Sequence, residues 1–81
     1  MKARVAWHPG LQEVLAEMPA RESELMFEKI DLLIYFPRMY PMVLRGRFRR
    51  HRKFAAGNWA VYYRVVENTV HIRGLWPARI P

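Results

Sequence analysis

The chain reads as an α+β domain of order β-α-α-β-β-β, with two N-terminal helices packed on one face of a small, mainly antiparallel sheet. Three observations predict this. Apolar residues recur at helical spacing in two segments before Phe36, the period changes to two from Val43 onward, and Pro9, Pro19 and Pro37 punctuate the boundaries between segments. With 81 residues the chain is expected to form one domain, residues 1–81, with a thin core.

Ala3 to Trp7 is β-prone, and His8-Pro9-Gly10 stops it as a strand-to-helix turn. Leu11, Val14, Leu15 and Met18 then stand at i, i+3, i+4 and i+7, the spacing of a short amphipathic helix, which Pro19-Ala20 breaks. A second helix is predicted from about Arg21 to Tyr35. Leu25, Met26, Ile30, Leu33 and Ile34 form its buried stripe, and Glu22, Glu24, Glu28 and Asp31 its wet face. Phe36-Pro37 ends it, because the residue before a proline is pushed out of the helical region. Arg38 to Met42 follows as a loop.

From Val43 the alternation predicts a strand through the basic run. Val43, Arg45, Arg47, Arg49, His51 and Lys53 fall on one face, and Leu44, Gly46, Phe48, Arg50, Arg52 and Phe54 on the other. Trp59 to Val66 and Thr69 to Trp76 then read as a hairpin around Glu67-Asn68. With those two residues as the turn, Val66 faces Thr69, Arg64 faces His71, Tyr62 faces Arg73 and Ala60 faces Leu75. The opposite side collects Trp59, Val61, Tyr63, Val65, Val70, Ile72, Gly74 and Trp76, nearly all apolar, and is expected to cover the helices. The remaining face, with Tyr62, Arg64, His71 and Arg73 beside the Arg-rich strand, is left open and cationic.

Composition narrows the class of partner. The apolar fraction of 52%, with 14% aromatic, lies above the disordered range, so most of the chain folds. No cysteine is present, and His8, His51 and His71 are too scattered for a zinc cluster, so neither a metal nor a cofactor is expected. The N-terminus has no long apolar run and meets Pro9 at once, so neither a signal peptide nor a membrane span is expected, and a cytoplasmic location is the default. The formal net charge of +7 suggests a polyanionic partner, whether RNA, DNA or an acidic protein segment. That charge is uneven, since Glu67 is the only acid after Asp31.

The element order, together with GNWAVYYRVVENTVHIRGLWPAR from Gly57 to Arg79, resembles the RelE/ParE superfamily of toxins from bacterial and archaeal toxin-antitoxin pairs. In that pattern Gly57-Asn58-Trp59 takes the Gly-x-Tyr place, Tyr63 the later Tyr, Val70 to Leu75 the last strand and Arg79 the closing Arg. The resemblance implies a cognate antitoxin whose acidic or amphipathic segment silences the toxin. It also implies contact with operator DNA only through the antitoxin complex. For RelE-like members the implied activity is metal-free mRNA cleavage on the ribosome; for ParE-like members it is poisoning of DNA gyrase. Three departures stand out. Ala60 occupies the place of a strand Arg, and no C-terminal Tyr precedes Pro81, while Ala55-Ala56 look like extra residues in the loop before Gly57.

Metal-free RNA cleavage needs a base for the 2'-hydroxyl proton, cations for the crowded phosphorane and an acid for the leaving 5'-oxygen. On the open face His71 is the candidate acid or base, with Arg64, Arg73 and Arg79 completing the catalytic set. Arg45, Arg47, Arg49, Arg52 and Lys53 are candidate phosphate contacts, and Tyr62 is placed to stack on a base or bond to phosphate. His8 is read as part of the turn, His51 as part of a solvated face, and Trp59 and Trp76 as packing residues. A nonenzymatic nucleic-acid-binding module on the same basic sheet is the alternative from another class.

Overall fold

Residues 2–77 are described by the structure, a computed structural model. In chain order they form β1 (Arg4–Trp7), α1 (Leu11–Glu17), α2 (Ala20–Leu33), β2 (Arg52–Ala56), β3 (Trp59–Val66) and β4 (Thr69–Pro77). The sheet order is β1-β4-β3-β2, with β1 parallel to β4 and the other neighbours antiparallel, so the expected β-α-α-β-β-β architecture is the one observed.

Pro19, extended at φ −54° and ψ 139°, separates the two helices as its sequence position requires. On α2, Met26, Ile30 and Leu33 are buried. They join a core with Phe54, Ala56, Val61, Tyr63, Val70, Ile72 and Leu75 from the sheet. Leu25, assigned to the same stripe, is instead 37% exposed beside the Gly57 turn, because the apolar arc of α2 is narrower than its sequence suggests. α1 buries no residue fully; Leu11, Val14 and Leu15 cover the margin of the core. The ends of the elements are cross-tied. Ala3 donates its backbone N–H to the Ile34 carbonyl at 2.8 Å, and Arg4 donates to the Asn68 carbonyl at 2.9 Å.

Two predictions about the sheet are corrected. The first concerns Val43 to Lys53, most of which is not strand. Only Arg52–Ala56 pairs regularly with β3, and the segment before it folds back as a tight loop. Met42 bridges Arg52, Val43 donates to the His51 carbonyl at 2.7 Å, and Arg50 donates to the Val43 carbonyl at 3.1 Å. Gly46, at φ 87°, and Arg50, at φ 72°, turn the chain between those bonds. Only glycine adopts such angles without cost, so Arg50 stores local strain. Ala55 and Ala56, expected in a loop, belong to β2 opposite Ala60 and Trp59.

The second correction is the register of β3 and β4. Near the turn it is as predicted, with Val66 opposite Thr69 and Arg64 opposite His71. Beyond Tyr63 opposite Ile72, however, Tyr62 pairs with Gly74, so Arg73 is an extra residue in a β-bulge. Every later residue of β4 changes face. Leu75 enters the core opposite Val61, whereas Gly74 and Trp76 move to the open face opposite Tyr62 and Ala60. A one-residue slip has this effect because side chains alternate with period two.

Tyr63 is fully buried and donates its hydroxyl to the Pro37 carbonyl at 2.9 Å, tying the loop after α2 to the sheet. Burial raises its pKa above the ordinary 10.0, partly offset by the Tyr40 backbone N–H and the Arg52 charge. A raised pKa in the folded state means that the neutral phenol's contribution is complete below the unfolded value and is lost as pH rises through the folded value. The stability advantage of the natural chain over Tyr63→Phe is therefore expected to shrink above about pH 10. Paired denaturation curves at pH 8 and pH 11 check this, and an undiminished gap would contradict it.

Candidate nucleic-acid interface

The folded-back loop gives the open face its shape. Phe48 leaves the loop and lies flat on Tyr62, with ring centroids 4.2 Å apart and planes 13° apart. It is admitted by Gly74: a Cβ there would stand 2.6 Å from Phe48 Cζ, closer than nonbonded atoms approach. The bulge at Arg73 is therefore what brings the residue without a side chain under the ring. Lys53 lies over the same Tyr62, 5.6 Å from its centroid. Tyr62, a candidate platform for a base, thus has one ring face occupied by the protein's own phenylalanine.

Arg47 follows Phe48 onto the face. Its guanidinium carbon sits 5.7 Å from the Phe48 ring centroid and 5.8 Å from that of Trp76, a geometry favourable for cation–π attraction. Trp76, read as a packing residue, is 47% exposed on the open face because of the bulge. Ala60, opposite Trp76, is 4% exposed, so the position where the resemblance expects a strand Arg has no room for one. Arg47, delivered by the loop, instead lies over Trp76, the cross-strand neighbour of Ala60.

Two clefts gather the basic side chains. One, of about 400 Å³, is lined by Arg38, Arg50, Arg52 and Arg64 with Met42 and Val65. Four guanidinium groups sharing a cleft concentrate anions, and each forks toward phosphate or carboxylate oxygens. Arg38 and Arg50 were not singled out in the sequence, because their convergence depends on loops. Arg52 has a structural task as well: Nη1 donates to the Tyr40 carbonyl at 2.7 Å and the Arg38 carbonyl at 3.2 Å. It extends from the helix-facing side of the sheet rather than from the open face.

The second cleft, of about 500 Å³, lies between α1, the loop and β4. His8, His51, Arg47 and Arg73 supply its polar lining, with Phe48 and Trp76 at the ridge and Leu11 and Val14 on the helix side. It opens where β1 stops at Trp7 opposite Ile72, leaving the rest of β4 without a neighbour on that edge. His71 lies between Ala6 and Arg64 in the sheet and lines neither cleft. Arg45 and Arg49 are exposed on the loop, and Arg79 lies outside the described residues. Among the described residues, no three His, Asp or Glu side chains gather as a metal site would need, and no helix is long and apolar enough to cross a membrane.

No family model matches the chain, and no curated protein does. Solved structures do. A mutant of the Escherichia coli toxin RelE in the free state superposes with a TM-score of 0.77 at 16% identity, over 96% of this chain and 85% of that one. The archaeal RelE–RelB complex from Pyrococcus horikoshii gives a chain with a TM-score of 0.75 at 23% identity, over 96% of this chain and 97% of that one. Over nearly its whole length, the chain has the fold of the RelE toxins.

Proposed function

We propose that this chain is the toxin of a toxin-antitoxin pair and arrests growth by cleaving mRNA on the ribosome without a metal, in the cytoplasm, until a cognate antitoxin neutralises it. The observation that carries the reading is the open sheet face. On a RelE-type fold it presents Arg47, Arg73 and two imidazoles in one cleft beside an aromatic ridge, and four arginines line a separate cleft. Cations positioned for phosphate and side chains able to take and give a proton are what metal-free transesterification of RNA uses. The RelE–RelB complex supports an antitoxin partner. Acidic side chains of such a partner would be drawn to the same arginines.

The test is a cell-free translation reaction containing the purified chain, with new mRNA 5' ends mapped by primer extension. Cuts are expected only while ribosomes translate, and an antitoxin that binds should abolish them and raise the toxin's melting temperature. Intact mRNA from folded protein would reject ribonuclease activity. If that protein also blocked supercoiling by DNA gyrase, the ParE-like alternative would replace it.

A further inference from the structure

We propose that His51 and His8 are the general base and general acid of this cleft, an assignment that rests on the ribonuclease reading above. The two imidazoles lie 43 positions apart in sequence (51 minus 8), yet line the same cleft together with Arg47 and Arg73. His51 is held on two sides. Its ring meets Phe48 edge-on at 5.5 Å and 81°, and Nδ1 lies 3.3 Å from the Arg49 carbonyl oxygen. A carbonyl can only accept, so Nδ1 carries the proton and the neutral ring keeps its lone pair on Nε2. The strained Arg50, at φ 72°, stands between that carbonyl and the ring it orients.

His8 approaches from the opposite wall. Its backbone N–H donates to the Ile72 carbonyl at 2.9 Å, and its own carbonyl accepts from the Leu11 N–H at 3.2 Å. Those bonds fix the turn against β4 at the point where the parallel pairing with β1 ends. The residue is exposed, so a bound substrate can reach its ring.

The step balances as a transesterification. His51 Nε2 takes the proton of a ribose 2'-hydroxyl, and O2' forms a bond to phosphorus. The bond from phosphorus to the 5'-oxygen breaks, and that oxygen receives the proton of His8. The products are a 2',3'-cyclic phosphate and a 5'-hydroxyl. Arg47 and Arg73 face the same space and hold the nonbridging oxygens. The charged and titratable groups that face the cleft from the β1–α1 turn, the loop and β4 are these two arginines and the two histidines; α1 contributes only Leu11 and Val14.

The experiment measures single-turnover cleavage of ribosome-bound mRNA from pH 5.5 to 8.5 for the natural chain, His51→Gln and His8→Gln, with each variant's melting temperature taken alongside. A bell-shaped profile is expected for the natural chain. His51→Gln should lower the rate by ~10²-fold or more and flatten the acidic limb; His8→Gln should do the same to the basic limb. Loss of one limb separates a chemical role from misfolding, which scales the whole curve. Both variants within about threefold of the natural rate, with both limbs intact, would overturn the assignment while leaving the ribonuclease reading in place. So would loss of a limb in His71→Gln instead. No cleavage by the natural chain at any pH would overturn the reading itself, and this assignment with it.

Discussion

A Gly74→Val chain is expected to fold but to lose its loop from the open face, and with it any activity that uses the second cleft. A Cβ at position 74 meets Phe48 Cζ at 2.6 Å, Phe48 Cε1 at 3.1 Å and Trp76 Nε1 at 3.2 Å, and valine adds two methyl groups beyond it. The strand backbone is fixed by pairing with Tyr62, so the ring must leave. Overpacking of this kind costs about 1–3 kcal/mol. The lost Phe48–Tyr62 stack adds roughly 0.5–1.5 kcal/mol. For a domain of this size, each kcal/mol lowers Tm by roughly 4–8 °C. Catalysis should fall more steeply than stability, because Arg47 and His51 are both held against Phe48. A double-mutant cycle isolates the contact: Phe48→Ala should remove most of the cost of Gly74→Ala, giving a coupling above about 0.5 kcal/mol. Strict additivity would show that the ring does not lie over Gly74.

Leu33→Ala should be among the most destabilising of the simple truncations on α2. Leu33 is 0% exposed, at the end of the helix where it joins the sheet core. Removing a buried leucine side chain costs about 2–5 kcal/mol, transfer and cavity terms together. Small domains sit at the low end of the usual stability range of roughly 5–15 kcal/mol, so the variant should be partly unfolded at 37 °C. Leu25→Ala is the control: at 37% exposure it should cost about 1 kcal/mol or less. Urea denaturation of the two variants decides the matter, and equal midpoints would mean that α2 is rotated relative to its described position.

The two leucines show why the candidate site was harder to read than the fold. Both lie within the apolar stripe that periodicity marks on α2, yet only the partner surface determines where the stripe ends. The site depends on such decisions throughout. Arg64 opposite His71 was legible because both lie close to the Glu67-Asn68 turn, and a short turn dictates the pairing beside it. Farther along, the bulge at Arg73 shifts β4, moving Trp76 out and Leu75 in. A trace of it was in the sequence: Val70, Ile72 and Leu75 break an even spacing, and an interior strand glycine marks a bulge or a close approach. In the basic run the trace was fainter. With arginines at both odd and even positions, alternation cannot distinguish a strand from a loop, and Gly46 was the one residue signalling the turn.

By itself, then, the sequence determined the helices, the final hairpin, the α+β class and the cationic character of the second half. These follow from local periodicity, proline geometry and composition, which need no knowledge of distant residues. Only the tertiary structure decided which cations share a cleft, that Phe48 covers Tyr62, and that His8 and His51 line the same cleft. Those outcomes depend on one added residue in β4 and on a loop anchored by Gly74, where a single change of parity moves each following side chain to the other face of the sheet.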